Sequence, residues 1–262
     1  MTGLVNLKNI VLIGAGNVAT HLGLALKDNG YRILQVYSRT IPSASHLAGK
    51  LHSDFSTDLE KINLKADLYI ISVPDDAVGE LVYKIKLKDR LVVHTSGSLP
   101  MDILKNSSSN YGVVYPLQTF SKTRKVDFEH IPICVEANSK LGLETLKRFA
   151  GTISGDVRDV NSEQRKKLHL AAVFACNFPN FMYSISAEIV KQANIDFSIL
   201  RQLIKETAEK VMELDPLEAQ TGPAKRGDQK IMEKHLEMLK GFPEFKEIYQ
   251  LLSERIEKGR TK

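Results

Sequence analysis

The chain reads as an α/β protein: a doubly wound, mostly parallel sheet over residues 1–160, then an all-α domain over 161–262. Three features say so. Short apolar runs alternate with amphipathic, helix-length stretches up to about residue 160. Several of those runs are apolar at successive positions, as strands covered on both faces must be. At Asn161-Ser162-Glu163-Gln164 the texture turns helical for good, with Asn161 placed to cap a helix and Gln164 to complete a capping box.

The first strand, 9–13, runs into Gly14-Ala15-Gly16-Asn17-Val18-Ala19, a G-x-G-x-x-A turn that opens a helix. Gly14 permits the turn, Gly16 removes a side chain that would block a pyrophosphate, and Ala19 lets helix and strand pack closely. Free N–H groups and the positive helix end near Asn17 then face the phosphates. Asn29-Gly30 closes this helix. The arrangement is Rossmann-like and predicts dinucleotide binding. The second strand, 33–37, ends at Ser38-Arg39-Thr40, where an NAD site carries Asp or Glu for the ribose. A hydroxyl and a guanidinium suit a 2′-phosphate instead, so NADP is the expected cofactor.

Further strands are expected over 68–73, 91–94, 111–115 and 131–136, with a last one near 156–160, and helices over 75–84 and 139–150. Val73-Pro74 follows a buried strand where the cofactor's ribose would pass, and Asp75 and Asp76 read as helix N-terminal residues. His94-Thr95-Ser96-Gly97-Ser98 ends the next strand. Ser96 is a candidate cofactor ligand there, and His94 stands evenly between a strand-end hydrogen-bonding role and a site role. Tyr115-Pro116-Leu117-Gln118-Thr119-Phe120-Ser121 either touches substrate or nicotinamide, or packs the two domains together.

Helices are expected over 162–193, kinked at Pro179, and over 197–214, 228–240 and 243–258. The first is apolar around His169, Asn177 and Asn180, which helical spacing puts on one face. Such a polar seam must find partners, in protein or in ligand, because unpaired burial costs about 1–3 kcal/mol per group. Lys166 and Lys167 beside it read as solvated. Thr221-Gly222-Pro223-Ala224-Lys225-Arg226-Gly227-Asp228 reads as a rigid turn whose Thr221 and Arg226 suit a carboxylate or phosphate, with Asp228 placed to cap the next helix.

The 262 residues are 43% hydrophobic and 26% charged, as in an ordinary soluble protein. No apolar run approaches a membrane span, and residues 1–8 lack the pattern of a secretory leader. Cys134 and Cys176 lie in apolar runs without metal spacing, which predicts buried thiols in a reducing cytoplasm, with neither metal nor disulfide. The net charge of +5 comes from scattered lysines with no basic-aromatic stripe, so no nucleic acid and no membrane partner is expected.

G-A-G-N-V-A, the S-V-P-D loop, H-T-S-G, Y-P-L-Q-T-F and T-G-P-A-K-R-G-D, in this order, resemble a family of Rossmann-like proteins. Its second domain is catalogued as a domain of unknown function, and the family is described as F420-dependent NADP oxidoreductase-like. More distantly the chain is similar to ketopantoate reductase, pyrroline-5-carboxylate reductase and the 6-phosphogluconate and β-hydroxyacid dehydrogenases. The resemblance implies NAD(P) binding at Gly14, Gly16, Asn17, Val18, Ser38 and Arg39, with Val73 and Pro74 along the cofactor, a substrate cleft between domains, and a homodimer through the helices. Apolar stripes over 197–214 and 243–258 point the same way.

Two departures matter. The lysine–asparagine pair of ketopantoate reductase and the β-hydroxyacid dehydrogenases is missing, since Lys167 is followed at i+4 by Ala171 and His169 occupies the seam instead. The usual histidine before P-L-Q is Tyr115. The leading expectation is an NADP-dependent oxidoreductase for a small carboxylated carbonyl or imine compound. In it His169 exchanges the proton, Asn177 and Asn180 orient the substrate, and Thr221 or Arg226 holds its anionic group. The alternative is a non-catalytic NADP-binding or interaction protein. A methyltransferase would need an acid where Ser38-Arg39 stands.

Overall fold

A computed structural model describes residues 7–259, so the leader reading of residues 1–8 lies almost wholly outside the described residues. Eight strands form one sheet: β1 Asn9–Ile13, β2 Arg32–Tyr37, β3 Asp54–Ser56, β4 Leu68–Ile71, β5 Lys88–His94, β6 Ser108–Pro116, β7 Ile133–Ala137 and β8 Val157–Asp159. Their order is β3-β2-β1-β4-β5-β6-β7-β8, and every neighbouring pair is parallel except β6 with β7. The chain reverses its direction of winding between β1 and β4, and a crevice forms outside the carboxyl ends of the strands at such a point.

β1 explains why the sheet is covered on both faces. Ile10 and Leu12 pack on one side with Leu22 and Leu26 of helix α1 (Asn17–Asp28), whereas Val11 and Ile13 pack on the other with Val78 and Leu81. All four β1 side chains are fully buried, each worth roughly 1.5–3 kcal/mol. α2 (Ile41–Leu51), α3 (Asp75–Lys84) and α4 (Lys140–Ala150) complete the layers. The short edge strand β3 and helix α2 were not picked out from the sequence, because β3 is only three residues long and two of them are exposed.

Asn161 starts α5 (Ser162–Ala172) with the full capping box: its side chain accepts from Gln164 N–H, and the Gln164 side chain accepts from Asn161 N–H. The kink expected at Pro179 takes another form. Proline lacks an N–H and crowds the carbonyl at i−4, here Ala175, and the backbone relieves both in a π-helical turn over Val173–Asn177. That wider turn also breaks the regular spacing on which the His169–Asn177 seam was drawn. Cys134 is buried, but Cys176 in this turn is only half-buried, which corrects the reading of two buried thiols; both are free.

The chain divides into two compact units, one ending at Asn177 and the other beginning at Phe178. The second consists of α6 (Phe178–Gln192), α7 (Arg201–Glu213), α8 (Pro216–Ala219), α9 (Pro223–Arg226), α10 (Gln229–Met238) and α11 (Pro243–Gly259). The helix expected over 197–214 begins as a 3₁₀ turn at Phe197–Leu200, where the Asp196 side chain accepts from Ser198 N–H. The turn expected at 221–228 contains the one-turn helix α9 between Gly222 and Gly227, both at positive φ, and Asp228 caps α10 by accepting from Ile231 N–H. Only Ala224, Met232 and Leu239 are buried among the described residues of this unit. Among the described residues no helix is long and apolar enough to cross a membrane, and no cluster of His, Cys, Asp and Glu suits a metal ion.

Candidate active site

A cavity of about 760 Å³ opens at the carboxyl ends of β1, β2, β4, β5 and β6. It is lined by Gly14, Gly16, Asn17, Val18, Ser38, Arg39, Val73, Pro74 and Ser96, so all nine candidate cofactor ligands line one cavity, and His169 lines it with them. Asn177 is exposed and lies outside this lining. Asn180, Thr221 and Arg226 belong to the second unit, where each is exposed.

The glycine turn is shaped by contacts. Gly14 sits at φ +125°, and a Cβ there would lie 2.0 Å from the Ser72 carbonyl oxygen, so no other residue fits. Its N–H donates to the Tyr37 carbonyl at 2.8 Å. A Cβ on Gly16 would meet nothing within 4 Å, which leaves open space on the cavity side. Gly16 is also the N-cap of α1, with no side-chain cap and no acid in the first turn. The positive end of a 12-residue helix is therefore available to an anion, and these residues fit a dinucleotide pyrophosphate. The Asn17 side chain is engaged elsewhere: its Nδ2 donates to the Phe120 carbonyl at 2.8 Å.

At the end of β2 the lining continues through Ser38, Arg39 and Ser43. Thr40 is the N-cap of α2 but makes no capping bond, since its hydroxyl donates to Ser43 Oγ at 2.9 Å. Hydroxyls, a guanidinium and an uncapped helix start thus meet in one corner and fit a phosphate monoester. Ser43 was missed because α2 itself was not recognised in the sequence. Lys84 also lines the cavity, ion-paired to Glu80 at 2.6 Å.

The other end of the cavity is built by the loop after β5 and by α5. Ser96 Oγ accepts from Ser98 N–H and Leu99 N–H, both at 3.0 Å, which occupies its lone pairs and leaves its O–H proton to be donated. His94 is fully buried and accepts from Ser96 N–H at 3.1 Å; burial first, then the nearby Arg165 charge, lowers its pKa to about 3. With Nδ1 accepting, the ring proton sits on Nε2, which is buried without a hydrogen-bond partner among the described residues. Arg165, also fully buried, donates to the carbonyls of Ser96 (3.1 Å) and Leu99 (2.5 Å) and pairs with Glu136 at 2.5 Å. Glu136 in turn accepts from the N–H and hydroxyl of Ser162. This network ties the Ser96–Leu99 loop to the start of α5. Arg165 escaped notice in the sequence because an Arg-Lys-Lys run reads as a solvated face, and its partner Glu136 lies far away in the chain.

His169 Nδ1 lies 3.0 Å from Tyr115 Oη, with the two rings edge to face. Burial pushes the Tyr115 phenol up to about 12, so it stays protonated over any working pH. Gly97 makes room for the pair: a Cβ there would be 2.6 Å from His169 Nδ1. Tyr115, His169 and the Ser96 hydroxyl therefore present one acid–base group with two neutral hydrogen-bonding neighbours. Gln118 and Lys122 complete the rim, and the loop that carries them runs onto α1, with the Lys122 ammonium donating to the Ala15 carbonyl at 3.1 Å.

Comparison with known proteins fits this geometry. Residues 9–97 match the family described as NADP oxidoreductase, coenzyme F420-dependent, and residues 131–256 match the domain of unknown function DUF2520. A solved structure from Bacteroides fragilis, assigned as an NADP oxidoreductase, is 50% identical over 96% of this chain and 98% of its own, with a TM-score of 0.92. The chain belongs to this two-module NADP oxidoreductase family. A Thermotoga maritima protein of solved structure is 28% identical over 95% of this chain and 99% of its own, at a TM-score of 0.77. A reductive aminase from Aspergillus terreus, solved with NADPH and ethyl levulinate, shares the fold at 13% identity, covering 97% of this chain and 93% of its own, with a TM-score of 0.73. No curated protein matches the chain.

Proposed function

We propose that the protein is an NADP-dependent oxidoreductase acting on a small, carboxylated carbonyl or imine compound. The observation that carries this reading is the single cavity that joins an open glycine turn and a phosphate corner at one end to an imidazole–phenol pair at the other. The glycine turn and α1 would hold the pyrophosphate, and Ser38, Arg39 and Ser43 the 2′-phosphate. When bound, the cofactor supplies or accepts a hydride at its nicotinamide. Ser96 can donate a hydrogen bond at that end, and Tyr115 can donate to His169 Nδ1, which keeps the imidazole proton on Nε2. His169 then gives or takes the proton that accompanies hydride transfer. Asn177 and Asn180 remain candidates for substrate orientation, and Thr221 and Arg226 for holding its carboxylate. The sparse cysteines of the sequence, two in 262 residues and without paired spacing, support a cytoplasmic setting.

A structure with NADPH tests this reading. An ordered nicotinamide against Ser96, Gly97 and His169 is the expected result. A nicotinamide left disordered in solvent, with the adenosine end bound, contradicts it and favours a non-catalytic NADP-binding protein.

We also propose a homodimer formed through the helical region. α7 and α11 contain no buried residue, and Leu203, Met212 and Leu251 are 63%, 83% and 53% exposed. A second copy of the same stripes is the cover such surfaces need. Light scattering at micromolar concentration should give twice the mass of one chain; the mass of a single chain contradicts the dimer.

A further inference from the structure

We infer that Lys122 is a ligand of the cofactor's pyrophosphate, delivered by a loop strapped across the glycine turn. The inference rests on the dinucleotide reading above, and it concerns a residue that no sequence motif marks. The loop after β6 is anchored on the first two turns of α1, next to the glycine turn. Asn17 Nδ2 donates to the Phe120 carbonyl and His21 Nε2–H to the Ser121 carbonyl, each at 2.8 Å. The Phe120 ring stacks on His21, with centroids 5.2 Å apart, and on Phe128 at 5.8 Å. Three of these contacts hold Phe120 and Ser121, the two residues before Lys122, against the first two turns of α1, and the fourth packs Phe120 on Phe128.

Lys122 itself lines the cavity beside the glycine turn, its ammonium 3.1 Å from the Ala15 carbonyl. One acceptor uses one of three N–H donors, so two remain for phosphate oxygens. Charge balance favours that use. A pyrophosphate carries two negative charges, whereas a helix start offers about half of one positive charge. The other cavity-lining cations are placed for different work, since Lys84 is paired with Glu80 and Arg39 stands at the end of β2. Lys122 is the lining cation next to the turn.

Calorimetric titration of the full-length protein tests this, because Lys122 and Arg39 address different parts of the cofactor. With Lys122→Met, NADPH and NADH should both bind about tenfold more weakly, by the same factor, while 2′-AMP, which has no pyrophosphate, binds as before. Lys122→Arg should restore most of the affinity. Unchanged dinucleotide affinity in Lys122→Met overturns the inference, as does a loss shared by 2′-AMP or confined to NADPH. Wild-type protein that binds neither dinucleotide removes the cofactor reading itself, and this inference with it. Lys122 is exposed, so the variant should keep the wild-type thermal midpoint, and a lowered midpoint accompanying the affinity loss counts against a direct contact.

Discussion

His169→Gln should lower turnover by about a hundredfold or more while NADPH still binds. Glutamine is close to the imidazole in reach and can keep a hydrogen bond to Tyr115, 3.0 Å from Nδ1 in the native pair. It cannot exchange a proton. Its hydrogen-bonded neighbour cannot take over, because burial pushes the Tyr115 phenol up to about 12, above where the enzyme would work. The assay requires a panel of small carboxylated carbonyls, alone and with amines, and turnover must be expressed per folded molecule. Reduced thermal stability with turnover intact would make His169 a packing residue between Tyr115 and Gly97, and would remove it from the mechanism.

The parts of the site that sequence made legible are those whose chemistry is local. A strand, a glycine turn and a helix start are contiguous, so the proposed role of Gly14 and Gly16 follows from backbone geometry alone. Ser38 and Arg39 stand out because an expected acid is missing from one position. The capping box at Asn161 is likewise a four-residue pattern. What stayed hidden depends on partners distant in the chain. Arg165 is a buried cation only because Glu136 and the carbonyls of Ser96 and Leu99 converge on it. In sequence it heads a run of lysines. The loop at 115–121 reads equally as a substrate contact or as domain packing, and its course along α1 is set by Asn17 and His21, about a hundred residues earlier. The π-turn at Val173–Asn177 is a third case. Pro179 announces a disturbance, but not that the backbone widens into a π-turn four residues earlier. The apolar stripes on α7 and α11 are legible as helical-period patterns too long for a small domain to cover, and in the single chain neither helix has a buried residue.

Arg39→Asp should weaken NADPH binding about a hundredfold and leave NADH nearly unaffected. The substitution removes a charge-assisted pair with the 2′-phosphate, worth about 1.5–3 kcal/mol, and adds a carboxylate that repels it. NADH has no phosphate there, and an acid at this position is what NAD sites use for the ribose hydroxyls. Ser38, Ser43 and the uncapped start of α2 stay in place, so the fold around the corner should hold. The most direct test of the NADP assignment is therefore a calorimetric titration of NADPH and NADH against wild type and Arg39→Asp. The expected result is wild-type affinity for NADPH at least about tenfold above that for NADH, with the preference lost or reversed in the variant. Equal wild-type affinities, or NADPH affinity unchanged by Arg39→Asp, would contradict it.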